Sequence, residues 1–137
     1  MRVLGIDFGD SRTGYAVSDP LGFGVTTLDP FKSNGMRKVA EHTLALVKEY
    51  NAEKIVLGFP KNMDGSVGPR GEKTKALKKM LEEILDIPII LQDERLTTVS
   101  AHMLMNETNV RGEKRKSKVD SVSAAYILQA YLDSNKN

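Results

Sequence analysis

The stretch GIDFGDSRTGYAVSD, residues 5–19, decides the fold of this 137-residue chain. Its apolar alternation predicts two short strands, Arg2 to Phe8 and Gly14 to Asp19, joined by the turn GDSRT into a hairpin. Asp7 falls near the carboxyl end of the first strand. Because a buried carboxylate is costly unless it is paired or bound to a metal, Asp7 is a candidate functional residue.

Beyond the hairpin, helical and strand-like patterns alternate. The predicted elements are a strand near Phe23 to Leu28, a helix from Met36 to Tyr50, a strand KIVLGF at 54–59, a loop from Pro60 to Gly71, a helix striped by Leu77, Met80, Leu81, Ile84 and Leu85, a strand from Ile87 to Gln92, and helices from Thr97 to Glu107 and from Val119 to Leu132. This order favours an α/β fold with a partly parallel central sheet.

Length and composition favour one compact domain over residues 1–137, since 40% hydrophobic residues suffice for a single core. The chain has no cysteine, and its two histidines, His42 and His102, stand too far apart for a helical pair, which disfavours zinc chemistry. It shows neither a basic and apolar leader nor an apolar run near the ~20 residues of a membrane span. We therefore expect a soluble, cytoplasmic protein without a membrane partner.

Two further carboxylates fall at the ends of predicted elements. Glu94 lies just beyond the last predicted strand, and Asp120 lies at the start of the last helix. Functional groups of α/β sheets gather at the carboxyl ends of strands, and clusters of oxygen ligands suit Mg²⁺ or Mn²⁺. Asp7, Glu94 and Asp120 therefore form a candidate metal site for cutting phosphodiester bonds.

Each of these later acids also has a purely structural interpretation. Glu94 lies between Asp93 and Arg95, and this run fits a solvated strand end with an internal ion pair. Asp120 completes an S-x-x-D pattern with Ser117, which is typical of a capped helix start. Alternation along an extended chain sends Asp93 and Glu94 to opposite faces, so we do not expect both to bind the same ion directly. Asp93 remains a candidate for binding the metal through water or for accepting hydrogen bonds from the loop backbone.

The net charge of +2 says little about partners, but one run, RGEKRKSK at 111–118, holds five basic residues and one acid. This run fits either a phosphate-binding segment or a solvated loop. Candidate phosphate contacts are Arg12 in the hairpin turn, Arg95, Lys116 and Lys118, with Arg70 a weaker candidate. Lys116 precedes Asp120 by four residues, so the two share a helix face if the helix extends back. From that position Lys116 either contacts phosphate or pairs with Asp120, and both alternatives stay open. Since only 6% of the residues are aromatic, recognition through backbone and shape is expected.

Several familiar motifs are excluded. GIDFGD carries Asp7 where the dinucleotide fingerprint requires a glycine, and in GSVGPRGEKT the residue Glu72 separates the last glycine from the Lys and Thr of a phosphate loop. No G-x-S-x-G nucleophile motif occurs.

Four stretches in order carry a resemblance: GIDFGDSRTGYAVSD, VLGFPKNMDGSVGPRG, QDERLTT and KSKVDSVSAAYIL. Over nearly its full length the chain resembles the YqgF/RuvX family of the ribonuclease H-like superfamily. The resemblance implies a five-stranded mixed sheet flanked by helices, with Asp7, Glu94 and Asp120 as an acidic triad holding one or two Mg²⁺ or Mn²⁺ ions. It also implies a nuclease that matures the 5′ end of pre-16S rRNA during ribosome biogenesis, with nucleic acid and ribosomal precursor proteins as partners.

Three alternatives stay open at this point. The family is related to the Holliday-junction resolvase RuvC, which implies junction DNA as another substrate. A non-catalytic nucleic-acid-binding module is a second alternative, since related domains can lose the acids, but the intact Asp7, Glu94 and Asp120 argue against it. A sugar-kinase or actin-like phosphotransferase also uses a D-x-G turn, as in Asp7 to Gly9, but needs two such domains and therefore a longer chain. Whether the protein is a monomer or a homodimer is open as well.

Overall fold

A computed structural model describes residues 1–21, 24–33, 35–61, 64–93 and 112–134, with side chains from 121 onward in the last range. The elements in chain order are β1 (Arg2–Phe8), β2 (Arg12–Ser18), β3 (Val25–Lys32), α1 (Met36–Tyr50), β4 (Ala52–Phe59), α2 (Pro69–Ile84), β5 (Ile89–Asp93) and α3 (Gly112–Ser134). The helix predicted from Thr97 to Glu107 lies outside the described residues.

The five strands form one mixed sheet in the order β3-β2-β1-β4-β5. β1 pairs antiparallel with β2, and β2 pairs antiparallel with β3, whereas β4 runs parallel to both β1 and β5. Since parallel strands end on the same side, β1, β4 and β5 finish together at what we call the carboxyl edge of the sheet. The α/β class and the five-stranded mixed sheet are confirmed.

Helices cover both faces of the sheet. On the α1–α2 face, strand residues pack against these two helices in a core that includes Leu4, Ile6, Tyr15, Leu57, Val39, Leu77 and Leu81. On the α3 face, a smaller core joins Val3, Ala16 and Val56 to Ala124, Ile127, Leu128 and Tyr131. Alternate residues of β1 and β4 thus serve opposite cores, as the pleat of a strand requires. None of the helices in the described part of the chain combines the length and hydropathy of a membrane span.

The third strand runs from Val25 to Lys32, so the prediction of Phe23 to Leu28 ended it too early. The strand carries an irregularity, because its residues Leu28 and Phe31 pair with Tyr15 and Thr13, which are one residue closer together. Pro30 lies in this bulge. Since proline has no backbone N–H for the ladder, a bulge on an edge strand accommodates it.

The helix α2 begins at Pro69, so the predicted loop from Pro60 to Gly71 is wrong at its end. Proline favours the first turn of a helix, where its missing N–H has no partner to lose. Leu77 and Leu81 of the predicted stripe are fully buried, but Ile84 is 44% exposed at the helix end. In α1, the predicted bounds are confirmed, and Asn51 closes the helix in the left-handed conformation, with its N–H donating to the Val47 carbonyl.

A buried polar group ties α1 to the sheet. The Tyr15 hydroxyl lies 2.8 Å from Thr43 Oγ1, which donates in turn to the Val39 carbonyl at 2.8 Å, and burial raises the pKa of Tyr15. His42, one residue away on α1, stacks on Phe31 with ring centroids 4.2 Å apart. Desolvation lowers the pKa of His42, although the charge of Glu49 acts in the opposite direction.

Folding therefore favours the neutral form of His42, whereas the unfolded chain binds the proton more readily, so protonation of this side chain lowers the stability of the fold as the pH falls. We expect the free energy of unfolding to decrease from about pH 7 to about pH 5 more steeply in the wild type than in His42→Phe. The phenyl ring keeps the stack on Phe31 without a titrating group. Urea unfolding at a series of pH values measures both slopes, and equal slopes would contradict this role of His42.

Candidate active site

Asp7 lies at the carboxyl edge, next to the last residue of β1. Gly14 of β2 is its register partner, and Gly58 of β4 lies one residue beyond the pair formed by Ile6 and Leu57. Ile6 and Leu57 pack in the core of the α1–α2 face. Asp7 and Gly58, which follow them, and Gly14, the register partner of Asp7, therefore lie on the α3 face, because successive strand residues point to opposite faces. The half-buried Asp7 is thus flanked on both neighbouring strands by buried residues without side chains.

The helix α3 crosses β1 at Gly5 in the opposite direction. A Cβ atom on Gly5 would lie 2.9 Å from Leu128 Cβ and 3.0 Å from the Ala124 carbonyl oxygen, so glycine is what allows the helix this close. Farther along α3, the Tyr131 hydroxyl accepts a hydrogen bond of 2.8 Å from Lys54 near the start of β4. The C-terminal part of α3 therefore lies over the strand starts, and its earlier turns lie toward the carboxyl edge.

This direction brings Asp120 toward Asp7. Asp120 precedes Ala124 by one helical turn, and Asp7 follows Gly5 by two strand residues, so both lie beyond the crossing point on the side of the carboxyl edge. The helix begins at Gly112, which puts Asp120 in its third turn. The interpretation of Ser117 and Asp120 as a helix-start cap is therefore wrong.

The basic run also lies in this helix. Residues 112–118 are helical, so a loop conformation is wrong for them, and the helix does extend back from Asp120. Lys116 lies one turn before Asp120, and Lys118 lies between them. The structure thus brings these two candidate phosphate contacts to the same end of α3 as Asp120.

Glu94 and Arg95 lie outside the described residues. The strand β5 ends at Asp93, which pairs with Phe59 at the carboxyl edge. Since Ile89 and Leu91 contact the core of the α1–α2 face, alternation puts Asp93 on that face and Asp7 on the other. This placement weighs against Asp93 as a ligand of the same ion.

Arg12 opens β2, close to the turn of the hairpin. It shares the α3 face with Gly14 and Ala16, and so with Asp7. Its carbonyl accepts a 3.0 Å hydrogen bond from the Gly9 N–H, and a Cβ on Gly9 would lie only 2.4 Å from that oxygen. The glycine thus permits the tight turn that brings Arg12 to the same edge and face as Asp7.

The start of α2 supplies residues that sequence reasoning did not bring together with the hairpin. Arg70 and Lys73 line a small concavity with Phe8, Gly9 and Asp10. The Arg70 Nη2 donates to the Phe8 carbonyl at 3.4 Å, and Lys73 Nζ lies 3.5 Å from Asp10 Oδ1. Pro69 was the signal that could have found them, because a helix starting there carries both cations in its first turns.

Of the three candidate metal ligands, only Asp7 has a described side chain. Within the described part of the chain, no three His, Asp or Glu side chains come together as a metal site. The fit to a metal thus rests on the carboxylate oxygens of Asp7, which are hard ligands suited to Mg²⁺ or Mn²⁺.

The sequence matches a known family and its curated members over nearly its full length. The model of a family described as "RuvX: Holliday junction resolvase" matches residues 1–134. A curated protein of Acetivibrio thermocellus named "Putative pre-16S rRNA nuclease" is 48% identical, over 98% of this chain and 96% of its own length. A protein of Bacillus subtilis with the same name is 43% identical, over 98% of this chain and 99% of its own length.

Solved structures share the fold at low sequence identity. Thermus thermophilus RuvC, in complex with a Holliday junction substrate, has a TM-score of 0.60 and 12% identity over 98% of this chain and 96% of its own. Fowlpox virus resolvase, in a complex with Holliday junction DNA, has a TM-score of 0.60 and 14% identity over the whole of both chains. These similarities confirm the ribonuclease H-like fold.

The contact at Gly5 gives a test of the α3 placement. In Gly5→Ala, the new methyl group meets a backbone oxygen that cannot yield, so α3 must shift, and we expect a loss of about 1–3 kcal/mol in the free energy of unfolding. Gly35→Ala is the matched control, since its nearest heavy atom lies 3.7 Å away, and it should lose no more than the ~0.5–1 kcal/mol that alanine costs at the N-cap of α1. Chemical denaturation compares the two, and a Gly5→Ala protein as stable as the wild type would refute the close packing.

Proposed function

The chain belongs to the RuvX family, and from this premise we propose that it is a metal-dependent nuclease that hydrolyses phosphodiester bonds in structured nucleic acid. We further propose pre-16S rRNA as the substrate, in 5′-end processing during ribosome biogenesis, which the names of the curated relatives support. This role would put the protein in the cytoplasm, with ribosomal precursor proteins as further partners.

The single observation that carries the proposal is the crossing of α3 over Gly5. It directs Asp7 and Asp120, which are far apart in the sequence, toward the same end of the same face. An acid in the third turn of a helix gains little from the helix dipole, whose effect is confined to the first turn. The helix start therefore gives no reason for an acid at position 120, whereas a shared ion with Asp7 does.

We propose that Asp7, Glu94 and Asp120 together hold one or two divalent cations. Glu94 directly follows β5, which ends at the carboxyl edge beside β4. Bound there, Mg²⁺ or Mn²⁺ would supply the Lewis acidity for attack of water on a phosphodiester.

The basic residues would bind and orient the substrate. Arg12 shares the face and edge of Asp7, and Lys116 and Lys118 lie in the turns of α3 next to Asp120. With Arg95, they would contact phosphate oxygens and hold the scissile bond beside the carboxylates. Since the chain has few aromatic residues, recognition of backbone and shape would dominate, and binding would weaken steeply with salt.

A second candidate substrate is four-way junction DNA. The description of the matching family and the two junction-bound structures of the same fold favour it. The same carboxylates and cations would serve either nucleic acid, because the phosphodiester chemistry is shared. A third outcome, binding without cleavage, would make the protein a nucleic-acid-binding module.

Neutralising either acid should abolish cleavage without unfolding the protein. Changes in residues that merely support metal ligands cost about 10- to 100-fold, so we expect Asp7→Asn and Asp120→Asn each to slow cleavage by about 100-fold or more. The measurement is cleavage of a 5′-labelled RNA carrying the pre-16S 5′ junction, and of a labelled four-way DNA junction, in Mg²⁺, Mn²⁺ or chelator.

Matched controls make the same chemical change elsewhere. Asp29→Asn alters an exposed carboxylate on β3, and Asp133→Asn alters an exposed one near the end of α3, so both should keep wild-type rates. Cleavage of the DNA junction alone would favour the second substrate. Binding by the wild type with no cleavage in either metal would overturn the nuclease proposal.

A further inference from the structure

A second group of basic side chains lies at the carboxyl edge, on the other face of the sheet. Lys61 follows β4, and Arg70, Lys73 and Lys75 lie in the first two turns of α2. We refer to these four residues as the α2 cluster. The helix α2 covers the α1–α2 face, whereas Asp7 and Arg12 belong to the α3 face.

Two members of the cluster converge on the end of β4. The Nζ atoms of Lys61 and Lys75 lie 5.8 Å and 5.7 Å from the centroid of the Phe59 ring, which is 6% exposed. The aromatic ring thus supports both ammonium groups at the point where β4 ends. Two like charges held beside one ring favour a shared anion, because an anion relieves their mutual repulsion.

The other two members flank the end of β1. Arg70 donates to the carbonyl of Phe8, the residue after Asp7, and this contact occupies one of the five N–H donors of a guanidinium. Lys73 pairs with Asp10 across 3.5 Å, with side chains 61% and 71% exposed. An ion pair this open is weak, so a phosphate oxygen can replace the carboxylate at little cost.

The nearby acids do not neutralise the cluster. Asp10 is paired with Lys73, and Glu72 is exposed in the first turn of α2. Asp64, in the preceding loop, accepts hydrogen bonds from the Ser66 hydroxyl and N–H, which lower its pKa. Four cations thus face three carboxylates, which leaves the start of α2 with a net positive charge.

Packing holds the cluster in place. A Cβ on Gly71 would lie 2.6 Å from Val67 Cγ1 and 3.0 Å from the Pro60 carbonyl oxygen, so the first turn of α2 packs directly on the chain that leaves β4. Thr74, buried one turn into the helix, donates to the Arg70 carbonyl at 2.9 Å. Arg70, Lys73 and Lys75 therefore project from a fixed helix start, and Lys61 lies next to Pro60, against which this helix start packs.

We propose that the α2 cluster binds the sugar-phosphate backbone of a nucleic-acid strand as that strand crosses the carboxyl edge toward Asp7. The inference rests on the proposed function and adds a contact surface to it. The strand would meet Arg12, Lys116 and Lys118 on the α3 face and the α2 cluster on the α1–α2 face. Cleavage would thus act on a backbone held on both sides of the edge.

The test is equilibrium binding of the wild-type chain and its variants in chelator, measured by fluorescence anisotropy at a series of salt concentrations. One probe is a labelled single-stranded RNA, and the other is a labelled four-way DNA junction. We expect Arg70→Gln/Lys73→Gln to bind the RNA about tenfold more weakly or worse. The slope of log affinity against log salt should fall in magnitude by about 1.4, at ~0.7 for each lost phosphate contact.

Two further double variants test whether the loss of binding is specific to the cluster or follows from a lower total charge or from misfolding. Lys61→Gln/Lys75→Gln should weaken binding similarly and leaves the Phe8 contact of Arg70 intact. Lys48→Gln/Lys79→Gln removes the same charge from exposed positions on α1 and farther along α2, and should change the slope by less than half as much. If the two cluster variants match this control while the wild type binds, the inference is overturned and the proposed function stands. If the wild type binds neither probe, the proposed function itself fails.

Discussion

The contact between Gly5 and α3 is the constraint on which the rest of the candidate site depends. A helix backbone can approach a strand this closely only where the strand has no side chain, and Gly5 provides that position in the middle of β1. The crossing point then fixes the direction and height of α3 over the sheet. Asp120 lies one helical turn before this contact and Asp7 lies two strand residues after Gly5, so both lie on the side of the carboxyl edge.

Positions without a side chain also surround Asp7. Gly14 and Gly58 flank it on the neighbouring strands, and Gly9 permits the turn that brings Arg12 back to the same face. Each missing side chain removes bulk at the carboxyl edge, where a core residue would otherwise shield the carboxylate. The sheet thus holds a half-buried acid near its carboxyl edge with no larger side chain beside it on the two neighbouring strands.

Charge is arranged around the same edge although the whole chain is nearly neutral. The basic run lies in the early turns of α3, and the α2 cluster lies at the start of α2, on opposite faces of the sheet. Segments more than 30 residues apart in the sequence are joined here by the parallel pairing of β1, β4 and β5. The net charge of +2 does not reveal this arrangement, because most of the 18 acidic residues lie outside these two segments.

Local sequence patterns by themselves determined the α/β class, the hairpin, the bounds of α1 and the three carboxylates worth testing, because alternation and helical periodicity are properties of neighbouring residues. The starts of α2 and α3 were predicted too late, because glycine, proline and charged residues favour a loop locally. In the structure, α2 begins within its glycine- and proline-rich segment, where it packs on the chain that leaves β4, and α3 includes the basic run. Only the tertiary structure decided that Asp7 and Arg12 share a face, that Asp93 lies on the other, and that Arg70 and Lys73 meet the hairpin. Those facts depend on register and helix direction, which pairing between distant segments sets.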